Sequence, residues 1–360
     1  MRRVSRFGEN KPESTVTTLT ITPQPPDSPQ TTRPRNAFVR CRLPHYSAAP
    51  MTHTFPHKHL LGIERLSVSD ISAILERAAA YAVQNRSHQR KNNRLAGKTV
   101  ANLFFEPSTR TRTSFQLAAQ RLGADVVNLD IQFSSTKKGE TLLDTVRTVD
   151  AMQVDAFVIR HHENGVPELI AQHVQASVLN AGDGSHEHPT QALLDALTMQ
   201  QRKGRLEGLT VAICGDIEHS RVARSNIHLL NKFGAKVRIM GPAQFMPHDL
   251  ATLGVEAFDN MNDGLRGVDV AMMLRIQHER LADGEFAISL KDYHERYGLT
   301  HDKLKVAKPD VIVMHPAPMN RGVEITDELA DDPQYSVIFK QIENGVAVRM
   351  AALDLLQGTD

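Results

Sequence analysis

The chain has 360 residues, 41% of them apolar, with 42 basic and 41 acidic side chains. This length and apolar content predict a globular protein with at least two lobes. The formal net charge of +1 gives no reason to expect nucleic acid or a membrane as partner, and no apolar run approaches the roughly 18 residues of a membrane span. The two cysteines, Cys41 and Cys214, lie far apart, which excludes a disulfide framework and favours a cytoplasmic protein.

Residues 1–54 differ in composition from the rest of the chain. The first 50 residues hold 8 of the 18 prolines and 8 basic against 3 acidic side chains. The stretch TPQPPDSPQTTRPR has almost no apolar periodicity, which predicts disorder. Three interpretations stay open: a transit peptide, an extension created by a start assigned upstream of Met51, or a basic tail that binds nucleotides or nucleic acid.

The ordered part is predicted to begin with a helix after Ser67, because Asp70 follows at capping-box spacing and apolar residues recur at helical intervals. Short apolar runs then alternate with helix-like stretches, as in a parallel sheet built from βαβ units. The first series of runs is TVANLFF, ADVVNLD, DAFVIR and ASVLNA. After the helix PTQALLDALTMQQRKG, a second series follows: LTVAICGD, AKVRIMG, VDVAMML and DVIVMHP.

The predicted fold is therefore α/β, with two lobes that each hold a parallel β-sheet flanked by helices, linked by interdomain helices. We expect residues 55–200 to form one domain together with a C-terminal helix at 342–358. Residues 201–341 are expected to form the other.

The stretch FFEPSTRTR places hydroxyl and guanidinium groups where the first predicted strand gives way to a helix. Ligands of open α/β sheets bind beyond the carboxyl ends of the strands, and a helix N-terminus attracts anions. Residues Ser108 to Arg112 therefore suggest a phosphate or oxyanion site. The alternative is an ordinary helix cap at Ser108 or Thr109, with the arginines on a solvated face.

Polar residues follow other predicted strands as well, and Arg160, His188 and Gln191 are expected to face the same crevice. Arg221 and Arg224 suit a carboxylate, although Arg224 could equally be solvated. The pair His186 and His188 is a weak metal signal, and we expect no metal. No nucleophile arrangement is evident, so catalysis would rest on positioning and electrostatics without a cofactor.

Several motifs together closely resemble the carbamoyltransferase family, and within it the catalytic chains that act on aspartate rather than ornithine. The resemblance runs from about His57 to Leu356, and its motifs are FFEPSTRTRTSF, STKKGETLLDT, VIRH, NAGDGSHEHPTQALLD, GDIEHSRVARSN, MLRIQHERL, HPAPMNRGVEI and GVAVRMAAL. The pieces KKGET, LRIQ and HPAPMNRG favour aspartate, because ornithine enzymes carry a cysteine where this chain has HPAP. Many relatives have glycine where Ala317 stands.

The resemblance implies a role for each matching residue. Carbamoyl phosphate would be held by Ser108, Thr109, Arg110, Thr111, Arg160, His188, Gln191, Pro316, Ala317 and Pro318, and L-aspartate by Lys138, Arg221, Arg275 and Gln277. Among these, the catalytic residues would be Arg110, Thr111, Arg160, His188 and Lys138. The lysine loop, which by composition could be a solvated segment or a lid, would reach with Ser134 and Lys138 into a neighbouring subunit's site.

The resemblance further implies a homotrimer with shared active sites that makes N-carbamoyl-L-aspartate for pyrimidine synthesis. Regulatory or dihydroorotase chains are potential partners in a higher assembly. Two alternatives stay open: a carbamoyltransferase for another amine such as ornithine, and a catalytically silent homologue that serves as a scaffold.

Overall fold

The computed structural model describes residues 55–129, 141–276 and 288–358. The predicted disordered extension, residues 1–54, therefore lies outside the described residues. The first lobe runs through α1 (Val68–Gln84), β1 (Thr99–Phe104), α2 (Thr109–Arg121), β2 (Asp125–Leu129), α3 (Leu142–Asp150), β3 (Ala156–His161), α4 (Val166–Ala171) and β4 (Ser177–Asp183). Its four strands pair in parallel in the order β2-β1-β3-β4.

The second lobe follows the long helix α5 (Pro189–Lys203). It runs through β5 (Thr210–Cys214), α6 (Arg221–Lys232), β6 (Lys236–Met240), a 3-10 turn (Ala243–Phe245), α7 (Leu250–Leu253), β7 (Glu256–Phe258), α8 (Met261–Leu265), β8 (Val270–Met273), α9 (Leu290–Tyr297), α10 (His301–Leu304), β9 (Ile312–Met314) and α11 (Asp327–Ala330). Its five parallel strands lie in the order β7-β6-β5-β8-β9. The predicted fold of two parallel α/β lobes is confirmed.

The central strands are buried on both faces, which is why they are continuous apolar runs in the sequence. Phe157, Val158 and Ile159 of β3 are all fully buried. Burying each such side chain contributes on the order of 1.5–3 kcal/mol. The short edge strand β7 was not predicted, because its residues Glu256 and Ala257 are exposed and it contains no apolar run.

The chain's last helix, α12 (Ile338–Gln357), is buried over most of its length and packs against α1, α2 and α5. It begins four residues before the predicted start at 342. Its buried Asp354 accepts hydrogen bonds from Arg77 Nη1 at 2.6 Å, Tyr81 Oη at 2.6 Å and Arg94 Nε at 2.9 Å. These contacts attach α12 to the first lobe, while its opening turn reaches the site described below.

The capping box predicted for the first helix is present, with Ser67 and Asp70 bonding each other's backbone N–H groups. Within the described ranges, no helix is both long and apolar enough to cross a bilayer.

Candidate active site

A cleft of about 430 Å³ lies at the carboxyl ends of strands from both sheets. Residues that follow β1, β4, β5, β8 and β9 line it, as open parallel sheets favour. Of the residues predicted for the site, those that line the cleft are Ser108, Thr109, Arg110, Thr111, Arg160, His188, Gln191, Arg221, Arg275, Pro316, Ala317 and Pro318. Ser134, Lys138 and Gln277 lie outside the described residues.

The start of α2 presents its first turn to the cleft. Ser108 occupies the cap position, but its hydroxyl makes no capping bond to the helix. The alternative of an ordinary serine cap is therefore wrong for Ser108. No acidic side chain lies in the first turn, so the partial positive charge of the helix N-terminus is not offset there.

His188 is buried at the cap position of α5, and its backbone N–H donates to Ser225 Oγ at 2.8 Å. Burial lowers the pKa of the imidazole well below its usual value, and the charges of Arg160, Arg349 and Arg221 lower this pKa further. Its Nδ1 has no hydrogen-bond partner among the described residues. The ring is thus neutral at physiological pH, with one nitrogen as donor and the other as acceptor.

Glu106 is a counterion shared by arginines from both lobes. Its Oε1 lies 2.6 Å from Nη2 of Arg160, near the end of β3, and also bonds Nη2 of Arg221, the first residue of α6. Glu106 stands in the stretch FFEPSTRTR but was not predicted as a functional residue. A carboxylate directly before a run of arginines was the available signal.

The cleft is strongly cationic, because the arginines that line it are Arg110, Arg160, Arg221, Arg275 and Arg349. Although Arg110 is exposed to solvent at the cleft, partial desolvation by its surroundings lowers its pKa, and the charge of Arg275 lowers it further. Such mutual destabilisation of like charges is relieved when an anion enters. Arg224 and His186 are not among the residues that line the cleft; instead, His186 Nδ1 pairs with Asp183 Oδ2 at 3.0 Å.

The segment after β9 is held by the buried His315. Its Nδ1 accepts a hydrogen bond from the Ala317 N–H at 2.9 Å, so Nε2 carries the proton and donates to Glu324 Oε1 at 3.2 Å. Burial lowers the pKa of His315, consistent with this neutral form. Ala317 adopts the left-handed region with φ of 51°, where glycine is the more comfortable residue.

Arg349 was missed as a site residue, although it is the basic residue of the apolar stretch GVAVRMAAL. It is buried, its guanidinium lies 5.0 Å from the ring centre of Phe115, and burial lowers its pKa to about 10. Gln341 was missed as well, since nothing in the sequence shows which polar groups α12 carries to the cleft. His315 stands in the motif HPAPMNRGVEI, but its role in holding the segment after β9 was not predicted. No group of three or more metal-ligating side chains occurs in the described ranges.

Two family models together match most of the chain. The model described as aspartate/ornithine carbamoyltransferase, carbamoyl-P binding domain, matches residues 58–201, and the Asp/Orn binding domain of the same family matches residues 207–356. This chain belongs to the aspartate/ornithine carbamoyltransferase family. The assignment predicted from the motifs is confirmed.

Carbamoyltransferases of both specificities are similar to this chain. The aspartate carbamoyltransferase catalytic subunit of Rhodospirillum rubrum is 58% identical over 304 residues, which cover 84% of this chain and 95% of the relative. Aspartate transcarbamoylase from Trypanosoma cruzi, solved with carbamoyl aspartate and phosphate, is 34% identical with a TM-score of 0.77, covering 86% and 98% of the two chains. Ornithine carbamoyltransferase from Pyrococcus furiosus is 30% identical with a TM-score of 0.74, covering 83% and 96%.

Proposed function

We propose that this protein transfers the carbamoyl group from carbamoyl phosphate to the amine of L-aspartate, giving N-carbamoyl-L-aspartate and phosphate. The observation that carries the proposal is one cleft lined by five arginines and by the first turns of helices from both lobes. Both substrates are anions, and guanidinium forks and helix N-termini are the groups that bind phosphate and carboxylate. The 58% identity to an aspartate carbamoyltransferase catalytic subunit supports the same substrate.

Carbamoyl phosphate is assigned to the first lobe, residues 55–200. The phosphate binds at the start of α2, where Ser108, Thr109 and Thr111 offer hydroxyls and Arg110 a guanidinium. Arg160 contacts phosphate and carbonyl, while His188 and Gln191 bind the carbonyl oxygen and the amino group. Backbone groups of residues 316–318 bind the carbamoyl amide.

L-Aspartate is assigned to the second lobe, residues 201–341. Its carboxylates pair with Arg221 and Arg275, assisted by Gln277 and by Lys138 of a neighbouring subunit in a homotrimer, where Ser134 also reaches across. Exposed apolar side chains on α2 and on the edge strand β2 support such an interface. Leu117 on α2 is 39% exposed and Val127 on the edge strand β2 is 40% exposed.

The reaction follows from positioning and electrostatics. The deprotonated amine attacks the carbamoyl carbon, and the tetrahedral oxyanion that forms is stabilised by Arg110, Thr111, Arg160 and the neutral His188. The departing phosphate accepts the amine proton, since no side-chain base for it is evident among the described residues that line the cleft. Orientation of two bound anions in one cleft supplies on the order of 7 to 11 kcal/mol in favourable cases.

Ornithine is the weaker candidate acceptor. Its side chain carries an ammonium group, which would have to enter a cleft already lined by five arginines. Like charges at close range in a partly buried site are destabilising. A silent scaffold is also less consistent with this site, because it has no need of a buried neutral histidine beside paired arginines.

The test is a carbamoylation assay of the full chain with carbamoyl phosphate and either L-aspartate or L-ornithine. We expect turnover with aspartate alone, and its loss in Arg110→Ala and in Lys138→Ala. Mixing and reassembling the two inactive variants should restore part of the activity, because a shared site can then hold one intact set of residues. Turnover with ornithine, or with neither amine, would overturn the proposal.

A further inference from the structure

The buried carboxylate of Asp195 lies one helical turn after Gln191 on α5, behind the cleft. It is 0% exposed and accepts hydrogen bonds from three amide side chains on three helices. Gln191 Nε2 of α5 lies 3.0 Å from Oδ1, Gln341 Nε2 of α12 lies 2.8 Å from Oδ1, and Asn226 Nδ2 of α6 lies 2.9 Å from Oδ2. Asp195 therefore connects a residue of the cleft with both neighbouring helices.

The three amides are neutral, and the cation that acts on this carboxylate is Arg349 of α12. Burial raises the pKa of Asp195 to about 7, against the lowering effect of its three hydrogen bonds and of Arg349. At pH 8 the group is mostly ionised. An ionised carboxylate can only accept hydrogen bonds, so each amide must turn its NH₂ group towards it.

This requirement sets which end of Gln191 is available to a ligand. Because Nε2 donates to Asp195, the carbonyl Oε1 is the group with which Gln191 can accept a hydrogen bond in the cleft that it lines. A carbamoyl group has a carbonyl, which needs donors, and an NH₂ group, which needs an acceptor. If the Gln191 amide were reversed, its NH₂ group would face the NH₂ group of the carbamoyl, and neither would have an acceptor.

We propose that Asp195 is a positioning residue, which orients the Gln191 side chain so that its carbonyl accepts a hydrogen bond from the NH₂ group of the bound carbamoyl. The inference rests on the proposed function and adds the determinant by which the site distinguishes a carbamoyl group from phosphate alone. Gln341 shows the same orientation. Its Nε2 donates to Asp195, and its Oε1 accepts a hydrogen bond from the backbone N–H of His315 at 3.0 Å.

The experiment compares binding of two unreactive probes to the full chain at pH 8 by calorimetry. Phosphonoacetamide carries the amide NH₂ group, whereas inorganic phosphate does not. In Asp195→Asn the new side chain can donate as well as accept, so Gln191 is no longer held in one orientation. We expect the dissociation constant of phosphonoacetamide to rise about 3- to 10-fold, as for one lost hydrogen bond. The dissociation constant of phosphate should stay within about 2-fold of the wild-type value.

Two further variants separate orientation from a general structural effect. Gln191→Ala should show the same amide-specific loss, and adding Asp195→Asn to it should produce no further loss, because the side chain to be oriented is gone. Asp354→Asn is the matched control, since this second buried carboxylate is held by Arg77, Tyr81 and Arg94. It should lower stability and leave both dissociation constants unchanged.

The inference is overturned if Asp195→Asn weakens both probes equally, weakens neither, or still acts in the Gln191→Ala background. Failure of the proposed function would appear elsewhere, as absent turnover of aspartate by the wild-type chain. The two failures are therefore distinguishable.

Discussion

The helices of this protein begin in two different ways. Among described helices of eight or more residues, α1, α3, α6 and α9 begin with a Ser or Thr whose side chain accepts a backbone N–H of the first turn. Helices α2, α5 and α12 have no such bond, and all three place first-turn residues in the cleft. A Ser or Thr side chain thus occupies the first-turn N–H groups of the four capped helices, whereas α2 and α5 keep such groups without a side-chain cap at the cleft.

Helix α6 shows that a helix can reach the cleft and still have a capped start. It also reaches the cleft, yet Ser220 caps it by accepting the Ala223 N–H at 3.1 Å. Its contribution is therefore the guanidinium of Arg221 rather than its own backbone N–H groups. By contrast, α2 combines an arginine with an uncapped start, which suits the multiple oxygens of a phosphate.

Removing the charge from the uncapped start of α2 should have the largest effect. We expect Arg110→Ala to lower kcat/KM with carbamoyl phosphate by about 10³-fold, because the side chain would contact a dianion that carries negative charge throughout the reaction. Stability should change little, since Arg110 is exposed. Steady-state kinetics and urea unfolding measure the two quantities.

Arg121→Ala, at the opposite end of the same helix, is the control. It removes the same charge from α2 without reaching the cleft, so kcat/KM should stay near the wild-type value. A comparable loss in both variants would mean that the net charge of the helix matters and not its start.

Paired serine variants test the comparison directly. Ser67→Ala removes a working cap and should cost about 1 kcal/mol of unfolding free energy, while the KM for carbamoyl phosphate stays unchanged. Ser108→Ala should raise that KM by about 5- to 10-fold, the loss of one charge-assisted hydrogen bond, and leave stability within about 0.5 kcal/mol. If Ser108→Ala destabilises the fold like Ser67→Ala, Ser108 is a structural cap after all.

The effect at the start of α5 should be visible as a pH dependence of stability. The pKa of His188 is lowered in the folded state. Below about pH 6.5 this residue therefore binds a proton in the unfolded chain but not in the folded chain. This group's contribution to stability is thus complete above that pH and is lost as the pH falls. His188→Gln cannot take up the proton.

We therefore expect the wild-type chain to lose about 1 kcal/mol more unfolding free energy than His188→Gln between pH 7.5 and 5.5. Urea unfolding at one protein concentration measures both slopes, and the other titrating groups cancel in the difference. Equal slopes would show that His188 takes up its proton in the folded chain as readily as in the unfolded chain, contrary to the lowered pKa.

Much of the fold could be predicted because the central strands of the two sheets are buried on both faces. Runs such as AFVI and VAIC are apolar throughout, and each lies in a strand. The exceptions have physical causes. Strand β7 is an exposed edge held by pairing with β6, and α12 starts early at Ile338 because tertiary packing extends it.

The site was predictable where its residues follow strands or open helices. Residues after apolar runs, such as Arg160 and Arg275, line the cleft as expected. Arg349 and Gln341 were not predictable, because they lie within a helix that is distant in sequence and their neighbours are set by the packing of α12. Glu106 was overlooked because its two arginine partners come from different lobes.

The sequence by itself determined the two-lobed α/β fold, the carbamoyltransferase family, and the arginines and hydroxyls gathered at the strand ends. These features depend on local periodicity and short motifs, which each segment carries alone. Only the tertiary structure decided which charges meet, which helix starts stay uncapped, and which carboxylates are buried. Burial and pairing set the pKa of His188 and the hydrogen bonds of Asp195, and both depend on segments that meet only in the folded chain.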